Sequence, residues 1–302
     1  MTHRQGTSIP ARWKADTALF AVAFVWGTTF VVVKNAITEI SPVYFLALRF
    51  WLATLCMLFI FAPAFFKAGW GVVWRGMRGG AAAGAFLWLG YILQTVGLQY
   101  TTAGNSGFLT GLYILLVPVI SALLYRRWPR AAELVGIGIA SVGMLLLTLP
   151  SLNRQFHLNR GDVLTLACAI AFALHLLTLG YFSQRERFEA VAVGQIFCAA
   201  VLSSVMLCFE PPVARWTPNV LFGIVLTGVF ATAFAFALQT WAQQYTTATR
   251  TALIFALEPV FAFVTAVLSG GEMVKWSSVL GGFFIVGGIL MVELKFTRRA
   301  PA

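Results

Sequence analysis

The chain has 302 residues, of which 60% are hydrophobic and only 10% charged, with a formal net charge of +11. A soluble globular domain is about a quarter charged, so this composition excludes one. The excess of Lys and Arg is spread over short segments between long apolar runs, which argues against a nucleic-acid partner and for a charge bias across a bilayer.

A hydrocarbon core about 30 Å thick takes roughly 20 apolar residues per helix. Ten runs of that kind follow one another at 16–36, 42–62, 78–98, 103–125, 131–150, 162–182, 188–208, 219–240, 250–270 and 275–294. The expected fold is an all-α integral membrane protein with ten transmembrane helices. The first run is too long for a signal-peptide core and lacks a small-residue cleavage site, so it reads as a retained helix. Cys56, Cys168, Cys198 and Cys208 all fall inside apolar runs and read as packing residues.

With the N-terminus in the cytoplasm, fifteen of the twenty-one Lys and Arg fall in cytoplasmic segments, among them Arg12, Arg75, Arg126, Arg185, Arg250 and Arg299. Five, including Lys34 and Arg160, fall on the other side, and Arg49 lies within a span. The bias follows the positive-inside rule. It places both termini in the cytoplasm and calls for an even number of spans. The expected location is the plasma (inner) membrane.

The runs are also a duplication. Residues 93–103 return as 238–248, with eight of eleven positions identical and Gln94 facing Gln239. At the same 145-residue offset Gly136 matches Gly281 and Gly143 matches Gly288. At 146, Asp16 matches Asp162, Thr29 matches His175, and Arg49 matches Gln195. The units are 1–150 and 151–302, each with five helices. Five is odd, so the second unit enters the membrane from the opposite side, as in many secondary transporters with a midplane site at the repeat interface. Pro118 and Pro259, 141 residues apart, read as counterparts, which would make the fourth helix one turn longer before its proline than the ninth.

These motifs together resemble the drug/metabolite transporter superfamily, in particular its EamA-type ten-helix members. The resemblance rests on Trp26-Gly27-Thr28-Thr29-Phe30, Leu48-Arg49-Phe50, Tyr100-Thr101-Thr102-Ala103, Pro118-Val119, Gly161-Asp162, Glu258-Pro259-Val260 and Gly270-Gly271-Glu272. It covers essentially the whole chain. The first half departs from it at Tyr125-Arg126-Arg127-Trp128-Pro129, which has no Gly-Glu step. The resemblance implies an exporter of small metabolites, with amino acids, aromatic ones included, a common substrate class.

Ionisable groups in hydrocarbon are costly and mark functional hypotheses. In chain order, the expected substrate-binding residues are Trp26, Thr29, Arg49, Tyr91, Gln94, Tyr113, His175, Gln239 and Trp241. Arg49 could clamp a carboxylate with two parallel hydrogen bonds, or brace neighbouring helices. Gln94 and Gln239 offer uncharged donors and acceptors, suited to a neutral or zwitterionic solute, or serve as interhelical ties. His175 and Glu258 are proton-coupling candidates, with Arg250 a possible neighbour of Glu258. Small residues such as Gly136, Ala140, Gly281 and Gly288 permit close helix packing, within a monomer or a weak homodimer.

The chain is not expected to be an enzyme. No Gly-Lys dipeptide occurs, so no P-loop is present. A His157-to-Asp162 pattern resembles an acyltransferase dyad, but no other catalytic group stands near it in sequence. No cofactor or metal is expected. The expected partners are a small-molecule substrate and the lipid bilayer, with possible proton coupling. An uncoupled facilitator or channel is the alternative.

Overall fold

The computed structural model describes residues 9–101, 103–126, 130–148, 159–268 and 274–297. His157, the Gly270-Gly271-Glu272 motif and Arg299 lie outside them. Among the described residues every regular element is helical, and the only strand-like feature is an isolated bridge between Ile40 and Ala214. This is the outcome the bilayer demands: without water, backbone polar groups must be satisfied within each segment.

The elements are α1 (Ile9–Ala36), α2 (Pro42–Ala68), α3 (Trp70–Gly97), α4 (Ala103–Gly111), α5 (Tyr113–Tyr125), α6 (Ala131–Thr148), α7 (Arg160–Ser183), α8 (Phe188–Met206), α9 (Pro218–Gly228), α10 (Ala235–Ala242), α11 (Ala248–Phe255), α12 (Glu258–Leu268) and α13 (Trp276–Thr297). A π-helical turn, Val229–Phe234, joins α9 to α10. Local chemistry sets the ends. Pro42 and Pro218 stand in first turns, where a missing N–H costs nothing. Gly69 takes φ 78° between α2 and α3, which suits glycine. Asn159 and Asp162 form a reciprocal capping box at the start of α7.

Eight helices are long and apolar enough to cross a membrane: 12–36, 42–68, 70–97, 106–124, 160–183, 188–206, 218–242 and 248–265. Two further apolar helices, Ala131–Leu147 and Trp276–Val292, are shorter. Many large apolar side chains point outward, with Phe59 at 86% and Phe66 at 89% exposure. On a water-soluble molecule such a surface would aggregate; here it is a face for lipid.

Two helix breaks correct the reading of the prolines. The fourth span breaks at Leu112, between α4 and α5, and the eighth at Ala256 and Leu257, between α11 and α12. The segments after the breaks begin at Tyr113 and Glu258, 145 residues apart like the repeated phrase. Pro118 is therefore interior to α5, whereas Pro259 opens α12. They are not counterparts, and neither span gains a turn before its break.

The end of the bundle at which α1 starts is here the near end, and the end at which α1 finishes is the far end. Asp16 of α1 meets Arg250 of α11 at the near end. At the far end, the turn after α1 meets the segment before α9 through Ser41 N donating to the Val213 carbonyl and Arg215 N donating to that of Glu39.

Glycines set the closest helix contacts. A Cβ at Gly80 would lie 2.3 Å from the Val191 carbonyl oxygen, and one at Gly84 2.3 Å from that of Gln195. Thus α3 and α8 touch backbone to backbone. Likewise Gly136 abuts Gly288, and Gly143 abuts Gly281, between α6 and α13. Gly287 faces open space. Overpacking a tight contact costs about 1–3 kcal/mol. Gly281→Ala, whose Cβ would meet the Gly143 carbonyl at 2.5 Å, is expected to lower stability by about that amount. Gly287→Ala should leave it unchanged or slightly raised. Thermal unfolding in detergent micelles, followed by tryptophan fluorescence, checks both.

Candidate functional site

A cavity of about 800 Å³, counting its mouth, opens among the helices. Val33 and Leu98 line it near the finish of α1 and α3, so it extends toward the far end. Leu176 and Gln239 line its near-end floor. Twelve of the lining residues form six pairs spaced by 145 or 146 residues: Trp26 and Phe172, Thr29 and His175, Tyr91 and Phe236, Gln94 and Gln239, Thr110 and Phe255, Tyr113 and Glu258.

Arg49, 3% exposed, is held from several sides. Its Nε donates to Thr232 Oγ1 at 2.6 Å, and its Nη2 donates to Tyr91 Oη at 3.2 Å and to the Ala231 carbonyl at 3.3 Å. The guanidinium carbon also lies 4.8 Å from the centre of the Tyr91 ring. Ala231 and Thr232 belong to the π-helical turn, and the same Ala231 carbonyl accepts from Trp26 Nε1 at 2.8 Å. A π turn widens the helix by a residue and is common at functional sites; here it supplies the groups that tie α1 and α2 to one point. Arg49 thus braces helices and also lines the cavity.

His175, 2% exposed, makes a 2.8 Å bond between Nε2 and Gln195 Oε1. Gln195 in turn donates from Nε2 to Thr240 Oγ1 at 2.9 Å. With the Gln195 amide oriented in this way, Nε2 of His175 carries the proton. Gln94 donates to Thr110 Oγ1 at 3.1 Å. Glu258 is partly exposed and borders the cavity. Besides Arg49 and Glu258, the lining is largely aromatic: Trp26, Tyr91, Tyr113, Phe172, Phe236 and Phe255. Such a space can take an amphipathic solute with polar groups.

The structure places eight of the nine expected substrate-binding residues, and Glu258, on the cavity wall. Trp241 is the exception. It packs on Tyr245, with ring centroids 5.4 Å apart. Two residues beyond Gln239 is about 200° around a helix, so the two side chains leave opposite faces. Arg250 does not partner Glu258. It forms a two-point pair with Asp16, at 3.0 and 2.7 Å. Asp162 caps α7 and accepts from Thr101 Oγ1 at 2.6 Å, so its oxygens are engaged in holding the helix start. Among the described residues no cluster of three or more His, Cys, Asp or Glu could hold a metal.

The model of the EamA-like transporter family matches residues 13–149 and 159–294, nearly the whole chain in two blocks. The chain belongs to the EamA-like transporter family. An uncharacterized transporter of Archaeoglobus fulgidus is 34% identical over 284 residues, 94% of this chain and 87% of the other. A protein of Salmonella typhimurium named "Probable amino-acid metabolite efflux pump" is 24% identical over 303 residues, covering 93% and 95%. A solved crystal structure superposes with a TM-score of 0.79 at 19% identity, covering 96% of this chain and all of the other. That likeness shows the fold.

In this EamA-like transporter, sequence reasoning missed Val33, Leu87, Thr95, Leu98, Thr110, Phe172, Leu176, Phe236 and Phe255 on the wall. The repeat offset would have found two of them: carried from Trp26 and Tyr91, it lands on Phe172 and Phe236. The brace around Arg49 makes a measurable demand. Loss of one buried hydrogen bond costs about 0.5–1.5 kcal/mol, and more where a charged partner is stranded. Tyr91→Phe should therefore destabilise mildly and Thr232→Val more, as read by thermal unfolding in micelles. Equal stability of both variants and the parent would remove the brace.

Proposed function

We propose that this chain is a secondary transporter that exports small amphipathic metabolites, amino acids among them, by alternating access. In this reading ten helices span the plasma membrane as two inverted five-helix repeats, 1–150 and 151–302. The near end faces the cytoplasm, with both termini there and most Lys and Arg.

The observation that carries the reading is the set of six wall pairs at constant spacing. A site lined by equivalent residues of two repeats lies where they meet, as in inverted-repeat transporters. The two family-model blocks at 13–149 and 159–294 support the same division. The amino-acid class is supported by the name of the Salmonella typhimurium relative, and by a wall that pairs a guanidinium and a carboxylate with aromatic rings. Gln94 and Gln239 bind the solute's polar groups. Glu258, or His175 bonded to Gln195, carries a coupled proton. The open glycines at Gly138 and Gly287 leave room for a weak homodimer, though a monomer contains the whole cavity.

Purified protein in liposomes is expected to move a small amphipathic solute without ATP. A counterflow panel of amino acids, nucleosides and small organic cations that shows no flux sinks the transport reading. Gln94→Ala and Gln239→Ala should each cut flux about tenfold, equivalent to about 1.4 kcal/mol, with insertion intact. Glu258→Gln is expected to abolish any dependence on a pH gradient. If the parent shows no such dependence, the protein is an uncoupled facilitator.

A further inference from the structure

At the near end, beside the cavity floor, hydrogen bonds join α7 to the turn after α10. Gln243, just beyond α10, is fully buried, and its Nε2 donates to the Leu176 carbonyl of α7 at 3.1 Å. Gln184, just beyond α7, donates from Nε2 to the carbonyls of Gln243 and Thr246, at 3.1 and 3.2 Å.

One more amide joins this seam to the cavity. Gln239 lines the floor, is 1% exposed, and directs Nε2 toward Gln243 Oε1 at 3.5 Å. Its own Oε1 is buried and accepts no hydrogen bond among the described residues. A buried acceptor left unpaired is costly, so this oxygen is a ready partner for a donor arriving in the cavity.

Among the described residues, the counterparts of these glutamines at the far end form no such seam. The repeat spacing puts Leu98 opposite Gln243 and Thr38 opposite Gln184. Leu98 cannot donate from its side chain and lines the open cavity. Thr38 is exposed and bonds only within its own turn, to the Asn35 carbonyl at 2.7 Å. The two ends share a backbone plan but differ in latch chemistry.

We propose that Gln243 and Gln184 form the near-end gate of the cavity, and that Gln239 links it to the cargo by accepting a hydrogen bond from an N–H or O–H group on it. This rests on the alternating-access reading above. A ligand shifts an equilibrium only through contacts that differ between the states. A cargo donor on Gln239 Oε1 reorients that amide, releases Gln243 Oε1, and frees Gln243 and α7 to part at the near end.

The gate is tested by side of access. In a chain with Cys56, Cys168, Cys198 and Cys208 replaced by Ala, Leu176→Cys on the cavity floor reports which side reaches it. A membrane-impermeant maleimide is applied to right-side-out and inverted vesicles, with Arg185→Cys marking the near side and Pro211→Cys the far side. With the gate intact, Leu176→Cys reacts from the far side alone. Gln243→Leu, Gln184→Ala and Gln184→Glu should each raise near-side labelling at least about tenfold, as loss of the hydrogen bonds across the seam allows. Gln184 sits at the surface end of α7, so its variants guard against a folding failure at Gln243. Near-side labelling that stays at the parent level in all three overturns the gate. Labelling is read without cargo, so an empty flux panel would sink the transport reading and leave this result intact.

Discussion

Hydrocarbon offers no partner to a polar side chain, and the arrangement of this protein follows from that constraint. Among the described residues, the polar side chains that reach deepest into the bundle bond to another helix or border the cavity. Arg49 on α2 finds Thr232, Ala231 and Tyr91. His175 on α7 finds Gln195 on α8, which finds Thr240 on α10. The ties from Arg49 to Thr232 and Ala231 cross from one half of the chain to the other, while those from His175 through Gln195 to Thr240 stay within the second. Lipid-facing positions are left to Phe, Leu, Val and Trp. The polar inventory of the membrane region is therefore close to an inventory of the site and its supports.

The duplication explains the shape of that site, and its divergence explains the chemistry. Equivalent positions contribute Trp and Phe, Thr and His, Tyr and Phe, or Tyr and Glu across the cavity. The backbone frame is shared, down to a helix break repeated at the same spacing. Of the six wall pairs, only the glutamines are kept in both halves. Arg49 has a neutral counterpart in Gln195, and Glu258 has Tyr113. One cation and one carboxylate thus come from different halves of the chain, an asymmetry that two identical repeats would not have.

Much of the plan was legible before any coordinates, because apolar run length and a constant offset are coarse signals that survive drift. The eight long spans fall where the apolar runs fall, and most residues singled out for polarity within a run line the cavity. What was not legible depends on rotation and local backbone. Trp241 was chosen for standing beside a polar position in sequence, and adjacency says nothing about which face of a helix a side chain leaves. The π turn that orients Ala231 and Thr232 has no simple composition signal, so the brace on Arg49 was invisible. The prolines misled for a related reason: a proline can open a helix segment or sit inside one, and only the breaks show which.

The divergence also bears on how the two ends can close. At the near end, Asp16 and Arg250 join α1 to α11, while Gln184 and Gln243 join α7 to α10. At the far end, Asp162 meets a threonine hydroxyl in place of a guanidinium, and Leu98 stands where Gln243 would. An inverted repeat with identical halves would favour neither orientation, since each state would be the mirror of the other. Charge-assisted and amide bonds at one end, against a hydroxyl and a leucine at the other, remove that degeneracy. In the proposed alternating-access reading, side chains at the helix ends set the bias and the frame shared by the two halves carries the interconversion. Drift at those few positions can retune which side the empty cavity faces without disturbing the helices that make it.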